Sequence, residues 1–288
     1  MATIKFLIDS SADIPADLLA GSGIEVLHFP IVVDDHEYFD GQDFTPQEFY
    51  KILAQAQSIP THAQLTSFFF VEQYEKAFSE GCSELIYTSI NSKGSATNQN
   101  ANQAIGMFYD EHPEARDKMR ITVIDSKTYT MAYGYIVLKA AEAVKNGATA
   151  DEAIAMIHDW LDHVCILFTP YDLKYAKKSG RVSAAAAVLG DVLGIHPIMS
   201  FPDGDSKVLS KVRGDKALIP AMLKLAKKDR KPGTPYLHIK GSYDVWNEEM
   251  AAACVEALGD APALSYYIGG TISINAGPNV TGLVYYKE

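Results

Sequence analysis

Cysteine is scarce in this chain and cations are outnumbered. Only three cysteines, Cys82, Cys165 and Cys254, occur in 288 residues, and none forms a CxxC pair or a Cys/His cluster. That spacing offers neither a disulfide framework nor a cysteine metal site, so each reads as a small apolar residue. Lys and Arg number 25 against 36 Asp and Glu, a formal net charge of −11. Phosphate backbones are bound by clustered cations, so nucleic acid is not an expected partner, and an anionic membrane surface would repel the chain. No unbroken apolar run reaches the ~18 residues of a membrane span, so no stable membrane insertion is expected. Met1 to Phe6 lacks the basic and long apolar regions of a secretory signal, which makes the expected location cytoplasmic. Reaction signatures are missing too. There is no Walker A loop, no GxGxxG and no GxSxG elbow. His158 and His163 are five apart, on different faces of a predicted helix, and make poor joint metal ligands. Pro202 to Asp205 reads as a turn without the ligand ladder of a calcium loop. No metal and no cofactor are expected.

What is present is ordinary globular composition, 48% hydrophobic and 21% charged, enough for a core with apolar side chains left over to line a cavity. The first half alternates β-rich runs with helical spacing. Strands are predicted at Ile4 to Ile8, Leu85 to Ile90 and Ile121 to Ile124. Helices are predicted at Phe44 to Gln57, opened by Thr45-Pro46, and at Ser67 to Ser79, Ala96 to Phe108 and Tyr129 to Asn146. A β-rich insertion is expected near 24–43, with Asp34-Asp35 as its turn. Alternation of this kind argues for βαβ units and a mostly parallel α/β/α domain over 1–150. Residues 151–288 read as a second, α+β domain: helices at Asp151 to His163, Tyr171 to Lys178, Ser183 to Leu193, Lys216 to Lys228 and Trp246 to Leu258, a strand at Cys165 to Phe168, strand pairs such as His196 to Phe201 with Lys207 to Val212, and two terminal strands. The expected class is α/β with a mixed or antiparallel second sheet and the ligand between the domains.

Three turns share a physical logic. Asp9-Ser10-Ser11, Asn91-Ser92-Lys93-Gly94-Ser95 and Asp125-Ser126-Lys127 each follow a predicted strand and precede a predicted helix. In a parallel sheet such turns gather at the carboxyl edge, where ligands bind. A Gly-Ser pair at a helix start exposes unpaired N–H groups, the dipole favours an anion there, and Gly94 lets the backbone approach. The plain alternative is that Ser92 or Ser95 only caps the helix.

Taken together, the motifs resemble the DegV family along nearly the whole chain. Ile8 to Pro15 is similar to the family's opening. Tyr38-Phe39-Asp40-Gly41 with Phe44 to Tyr50 resembles its hairpin and helix, and Ser95 to Ala101 its S-G-T-Y-Q-S-A. Val123 to Lys127, Asp172 to Ser183, Leu193 to Ile198, Lys211 to Gly214 and Gly277-Pro278 follow in the family's order. The resemblance implies a fatty-acid-binding, non-catalytic subunit. Its acyl chain would lie in a buried tunnel, and its carboxylate would be presented to an ATP-binding fatty acid kinase subunit for acyl phosphate formation. Position by position, the family's serine is Ser95 and its neighbouring glycine is Ala96. The family's carboxylate-binding threonine falls on His62, or on Thr61 after a one-residue slip, and its late histidine falls on Asn275. The carboxylate is thus expected at Ser95, His62, Asn275 and Thr61, with Asp9, Ser10, Ser92, Gly94, Ala96 and Gly277 as supporting loop residues. Arg181 and Arg213 are expected to face the partner. The Thr–His pair of the family has become a His–Asn pair, which reads either as drift or as an exchange of roles. The competing functions are an enzyme or a sensor that binds a different small carboxylate or phosphate ester at the same loops. A sealed, elongated apolar tunnel favours the carrier, and a short polar cleft with a convergent acid–base pair favours the enzyme.

Overall fold

A computed structural model describes residues 3–182 and 194–288, so the expected helix from Ser183 to Leu193 lies outside the described residues. The first sheet has the order β2-β1-β6-β7, formed by Ile4–Asp9 (β1), Ile24–Leu27 (β2), Glu84–Ser89 (β6) and Arg120–Asp125 (β7). Every pairing in it is parallel. The central strands β1 and β6 are short apolar runs, as expected where helices cover both faces. The connecting helices are Ser67–Ser79 (α3), Thr97–Glu111 (α4) and Met131–Lys145 (α5), after a short α1 (Ala16–Leu19) and α2 (Pro46–Gln55). Cap chemistry sets the starts. Thr45 and Glu48 form a capping box on α2, and Thr66 accepts from the Phe69 N–H at 3.2 Å to open α3.

The β-rich stretch divides. Ile24–Leu27 belongs to the parallel sheet, whereas Pro30–Val33 (β3) and His36–Phe39 (β4) form a hairpin joined by Thr61–His62 (β5) in a small antiparallel sheet of order β4-β3-β5. Asp34 and Asp35 both have positive φ, 45° and 67°, which suits a tight two-residue hairpin turn.

After α6 (Ala150–His163), which packs on α5, the chain builds a six-stranded sheet. Its strands are Val164–Pro170 (β8), Ile195–Ser200 (β9), Lys207–Arg213 (β10), Tyr236–Lys240 (β11), Leu264–Tyr267 (β12) and Val280–Tyr286 (β13), in the order β10-β9-β8-β13-β11-β12. Only β11 and β12 pair in parallel. One face packs under α8 (Asp215–Asp229) and α9 (Asp244–Leu258), through Leu167, Leu283, Met222 and Trp246. On the other, Ile166, Phe168, Met199 and Ile239 belong to one continuous core with Phe6, Ile8 and Tyr87 of the first sheet. Two short helices, Leu173–Ser179 (α7) and Gly270–Ala276 (α10), pack on each other. The sequence reading missed α10. It opens on Gly269-Gly270, and glycine is a poor helix former that masks the helical signal. Among the described residues no helix is long and apolar enough to cross a membrane.

Candidate functional site

A slot runs between the two sheets. Its walls are Phe29, Ile90, Ile166, Phe168, Ile239 and Val280, all buried, with Phe201, Ile268 and Ile272 completing them. The void is small, about 50 Å³. It opens through His62, Gly94, Ser95, Tyr129 and Arg181 into a wide polar vestibule of about 680 Å³. The arrangement is a greasy slot with a polar mouth.

Each mouth residue is held from a different segment. Ser95 lies where the β6–α4 loop meets the N-terminus of α4, and its hydroxyl lies 2.9 Å from the Thr97 hydroxyl. The residue at the helix cap is Ala96, whose side chain makes no cap bond; Ser95 Oγ instead accepts from the Thr97 N–H at 3.3 Å, so its hydroxyl also serves the helix start. Gly94 is required sterically, because a Cβ there would lie 2.3 Å from the Tyr129 hydroxyl. That hydroxyl accepts from Asn91 Nδ2 at 2.9 Å, and the same amide donates to the Gly204 carbonyl at 2.8 Å. The loop of the first sheet is thereby tied to the β9–β10 turn of the second, with Lys93 and Asp205 paired beside it at 2.7 Å. Thr130, at φ +57°, turns the chain into α5 with its hydroxyl 2.5 Å from that of Tyr266. This positive-φ conformation, rare for a β-branched residue, costs about 1–3 kcal/mol.

His62 and Asn275 come together from opposite walls. Asn275 Nδ2 lies 2.9 Å from His62 Nε2 and 2.7 Å from the Thr271 carbonyl. A carbonyl can only accept, so the atom facing both partners is the amide nitrogen, and its two hydrogens are both spent. His62 Nε2 must then accept, which leaves the ring hydrogen on Nδ1. Burial, followed by the nearby Arg181 charge, holds the His62 pKa below its usual value, so the ring is neutral at pH 7. Arg181 lies at the rim, its guanidinium donating to the Gly94 carbonyl at 3.3 Å and the Ser179 carbonyl at 2.7 Å. The mouth therefore combines a hydroxyl, a neutral imidazole and a cation, which together suit an anionic oxygen pair.

Other expected positions fall elsewhere. Thr61 points away: on a two-residue strand adjacent side chains face opposite sides, so Thr61 is exposed and His62 turns inward. Asp9 is fully buried and its carboxylate is saturated, by Ser11 Oγ at 2.5 Å, Tyr133 at 2.6 Å, the Ile90 N–H at 2.7 Å and Tyr87 at 3.0 Å. It shapes the loop but does not line the slot. Ser10 donates to Asp40 at 3.1 Å, also away from the slot. Ser92 and Ala96 reach only the vestibule, with Ser92 Oγ donating to Asp125 at 2.5 Å. Gly277 ends α10 at φ +90°, packed on Tyr175. Arg213 is exposed at the end of β10, outside slot and vestibule. A group with metal-ligand spacing, Glu75, Glu111 and His112, sits at the ends of α3 and α4, remote from the mouth. Sequence reasoning missed Tyr129, Thr130, Thr271 and the whole apolar wall, whose members are single aliphatic or aromatic residues with no local signature.

Comparison with known proteins follows the same outline. A family model described as an uncharacterised protein family, DegV, matches residues 3–288. A DegV domain-containing protein of Caldanaerobacter subterraneus subsp. tengcongensis is 31% identical over 294 residues, covering all of both chains. One from Listeria monocytogenes is 29% identical over 291 residues, again with full coverage of both. Among solved structures, a fatty-acid-binding DegV family protein from Thermus thermophilus superposes with a TM-score of 0.84 at 25% identity, over 99% of this chain and 100% of that one. A stearic-acid-binding protein from Eubacterium ventriosum gives 0.88 at 21% identity, over 99% and 98%, a likeness of fold.

Proposed function

The chain belongs to the DegV family, and on that premise we propose that it is a cytoplasmic, non-catalytic carrier that buries one long-chain fatty acid and presents the carboxylate to a partner kinase. The observation that carries the reading is the apolar slot with its polar mouth. Burying ~14–16 methylenes at ~0.8 kcal/mol each supplies ample driving force even after ordering costs. The carboxylate sits at Ser95 and the His62 Nδ1–H, with Arg181 as its cation and Asn275 holding the ring. Gly94 and the Ser92–Ala96 loop shape the mouth, while Asp9, Ser10 and Gly277 support it from behind. The two lobes, 1–150 and 151–288, each supply part of the wall.

The vestibule supports the presenting role. A head group at the mouth is open to a second protein while the tail is enclosed, and Arg181 with the exposed Arg213 offers that partner two cations. The kinase would transfer the γ-phosphoryl of ATP to a carboxylate oxygen, releasing ADP and an acyl phosphate. A small polar carboxylate or phosphate ester is disfavoured, because it would leave the apolar slot unfilled. Mass spectrometry of lipid extracted from the purified protein is expected to recover about one fatty acid per chain. An extract without acyl lipid, together with no uptake of added fatty acid, rejects the carrier. Hydroxylamine trapping of acyl phosphate, with ATP and an ATP-binding fatty acid kinase subunit present, tests the handover.

A further inference from the structure

The small sheet β4-β3-β5 carries His62 at one edge and leads into Asp40 at the other. Both reach helix α10, at opposite ends. At the C-terminal end Asn275 bonds His62. At the N-terminal end four consecutive residues are held from the first half of the chain. The Tyr50 hydroxyl donates to the Ile268 carbonyl at 2.7 Å. Asp13 accepts from the Gly269 N–H at 2.9 Å. Asp40 accepts from the Gly270 N–H at 2.9 Å and the Thr271 N–H at 3.2 Å. These are the N–H groups a helix start leaves unpaired, and here buried carboxylates meet them.

The glycines make this possible. A Cβ on Gly269 would lie 2.5 Å from Asp13 Oδ1, and one on Gly270 would lie 2.8 Å from Asp40 Oδ1. Asp40 is itself fixed. Its N–H donates to the Phe29 carbonyl at 2.9 Å, its own carbonyl accepts from His28 Nδ1 at 2.6 Å, and Ser10 Oγ donates to its carboxylate at 3.1 Å. We propose that Asp40, with Asp13 beside it, is a positioning residue of the head-group site: it locks α10 to the sheet that carries His62 and so sets the His62–Asn275 pair. This rests on the carrier reading. The helix is only ~10 Å long, and a slide of about 1 Å would break a bond 2.9 Å long.

The test separates head-group positioning from general support. Asp40→Asn retains one oxygen but turns an amide nitrogen toward a backbone donor. Affinities for a long-chain fatty acid and for the matching fatty alcohol are measured by displacement of a fluorescent fatty acid. Asp40→Asn is expected to bind the acid roughly tenfold more weakly while alcohol affinity changes less than about twofold. In an Asn275→Ala background the same substitution is expected to cost nothing further. Equal losses for acid and alcohol, additive losses in the double variant, or an unmoved acid affinity overturn the proposal. If Asp40→Asn does not fold, Ser10→Ala withdraws one donor from the same carboxylate, and it must show a smaller loss confined to the acid; equal or absent losses there overturn it as well. An indifferent Asp40→Asn leaves the carrier reading standing, whereas wild-type protein that binds no fatty acid takes both down.

Discussion

The slot makes a quantitative demand on its ligand. Its walls are buried aliphatic and aromatic side chains around a void of about 50 Å³. Each methylene moved from water to such surroundings contributes ~0.8 kcal/mol, a factor of about four in affinity. Two added carbons should therefore tighten binding about fifteenfold, and the rise should stop where the slot ends. The measurement is a displacement series of saturated acids from roughly ten to eighteen carbons, at concentrations below micelle formation. The break in the line reports the depth of the slot. A slope below about 0.3 kcal/mol per methylene would mean that the tail stays in water, and the assignment of the slot as an acyl site would be refuted.

Two further outcomes test the frame around the slot. Gly94→Ala places a methyl group 2.3 Å from the Tyr129 hydroxyl, and such overpacking should cost about 1–3 kcal/mol in urea unfolding. Tyr129→Phe should recover most of that loss, and purely additive effects of the two changes would contradict the steric account. His238, buried in β11 with no partner for Nε2 among the described residues, has its pKa lowered to about 4 by burial and then by Lys240. Its folded pKa lies below the unfolded value of ~6.5, so its contribution to stability is complete above that value and is lost as pH falls through 4, about 3 kcal/mol in all. Asp9 and Asp13, pushed up by burial, act in the opposite sense and gain stability as pH falls. The readout is therefore the difference between His238→Leu and wild type, and parallel curves from neutral pH to about 4 would reject it.

Legibility followed range. Helix α3 runs from Ser67 to Ser79 as its spacing predicts, and β1, β6 and β7 lie within a residue or two of their apolar runs, because each is set by its own side chains and caps. That His62 and Asn275 stand where the family carries a Thr–His pair was visible only through the family resemblance. The choice between Thr61 and His62 needed the strand register, since two adjacent residues differ only in which face they take. Arg181 and Arg213 look alike as basic residues in loops, yet one reaches the mouth and the other does not. The slot wall was illegible for a deeper reason. An isoleucine facing a cavity and one facing a packed neighbour have the same local sequence signal, and only the meeting of two sheets distinguishes them.

On the proposed carrier reading, the His–Asn pair would be an exchange with unequal parts. Asn275 has two amide hydrogens, one committed to the Thr271 carbonyl and the other to His62 Nε2, so none remains for a ligand. Its role is to decide where the imidazole hydrogen goes. With Nε2 accepting, Nδ1 carries the hydrogen, and a half-buried ring beside Arg181 resists a second proton. A carboxylate would then meet one neutral donor from His62, one hydroxyl from Ser95 and one cation from Arg181. Nitrogen-15 NMR of His62 checks this directly. At pH 7 the unprotonated nitrogen should be Nε2, and Asn275→Ala should populate both tautomers. Bound carboxylate offsets the Arg181 charge, so fatty acid should raise the His62 pKa and bind more tightly as pH falls through the His62 titration. An imidazolium or an Nε2–H tautomer at neutral pH in the free protein would show that Asn275 does not set the ring.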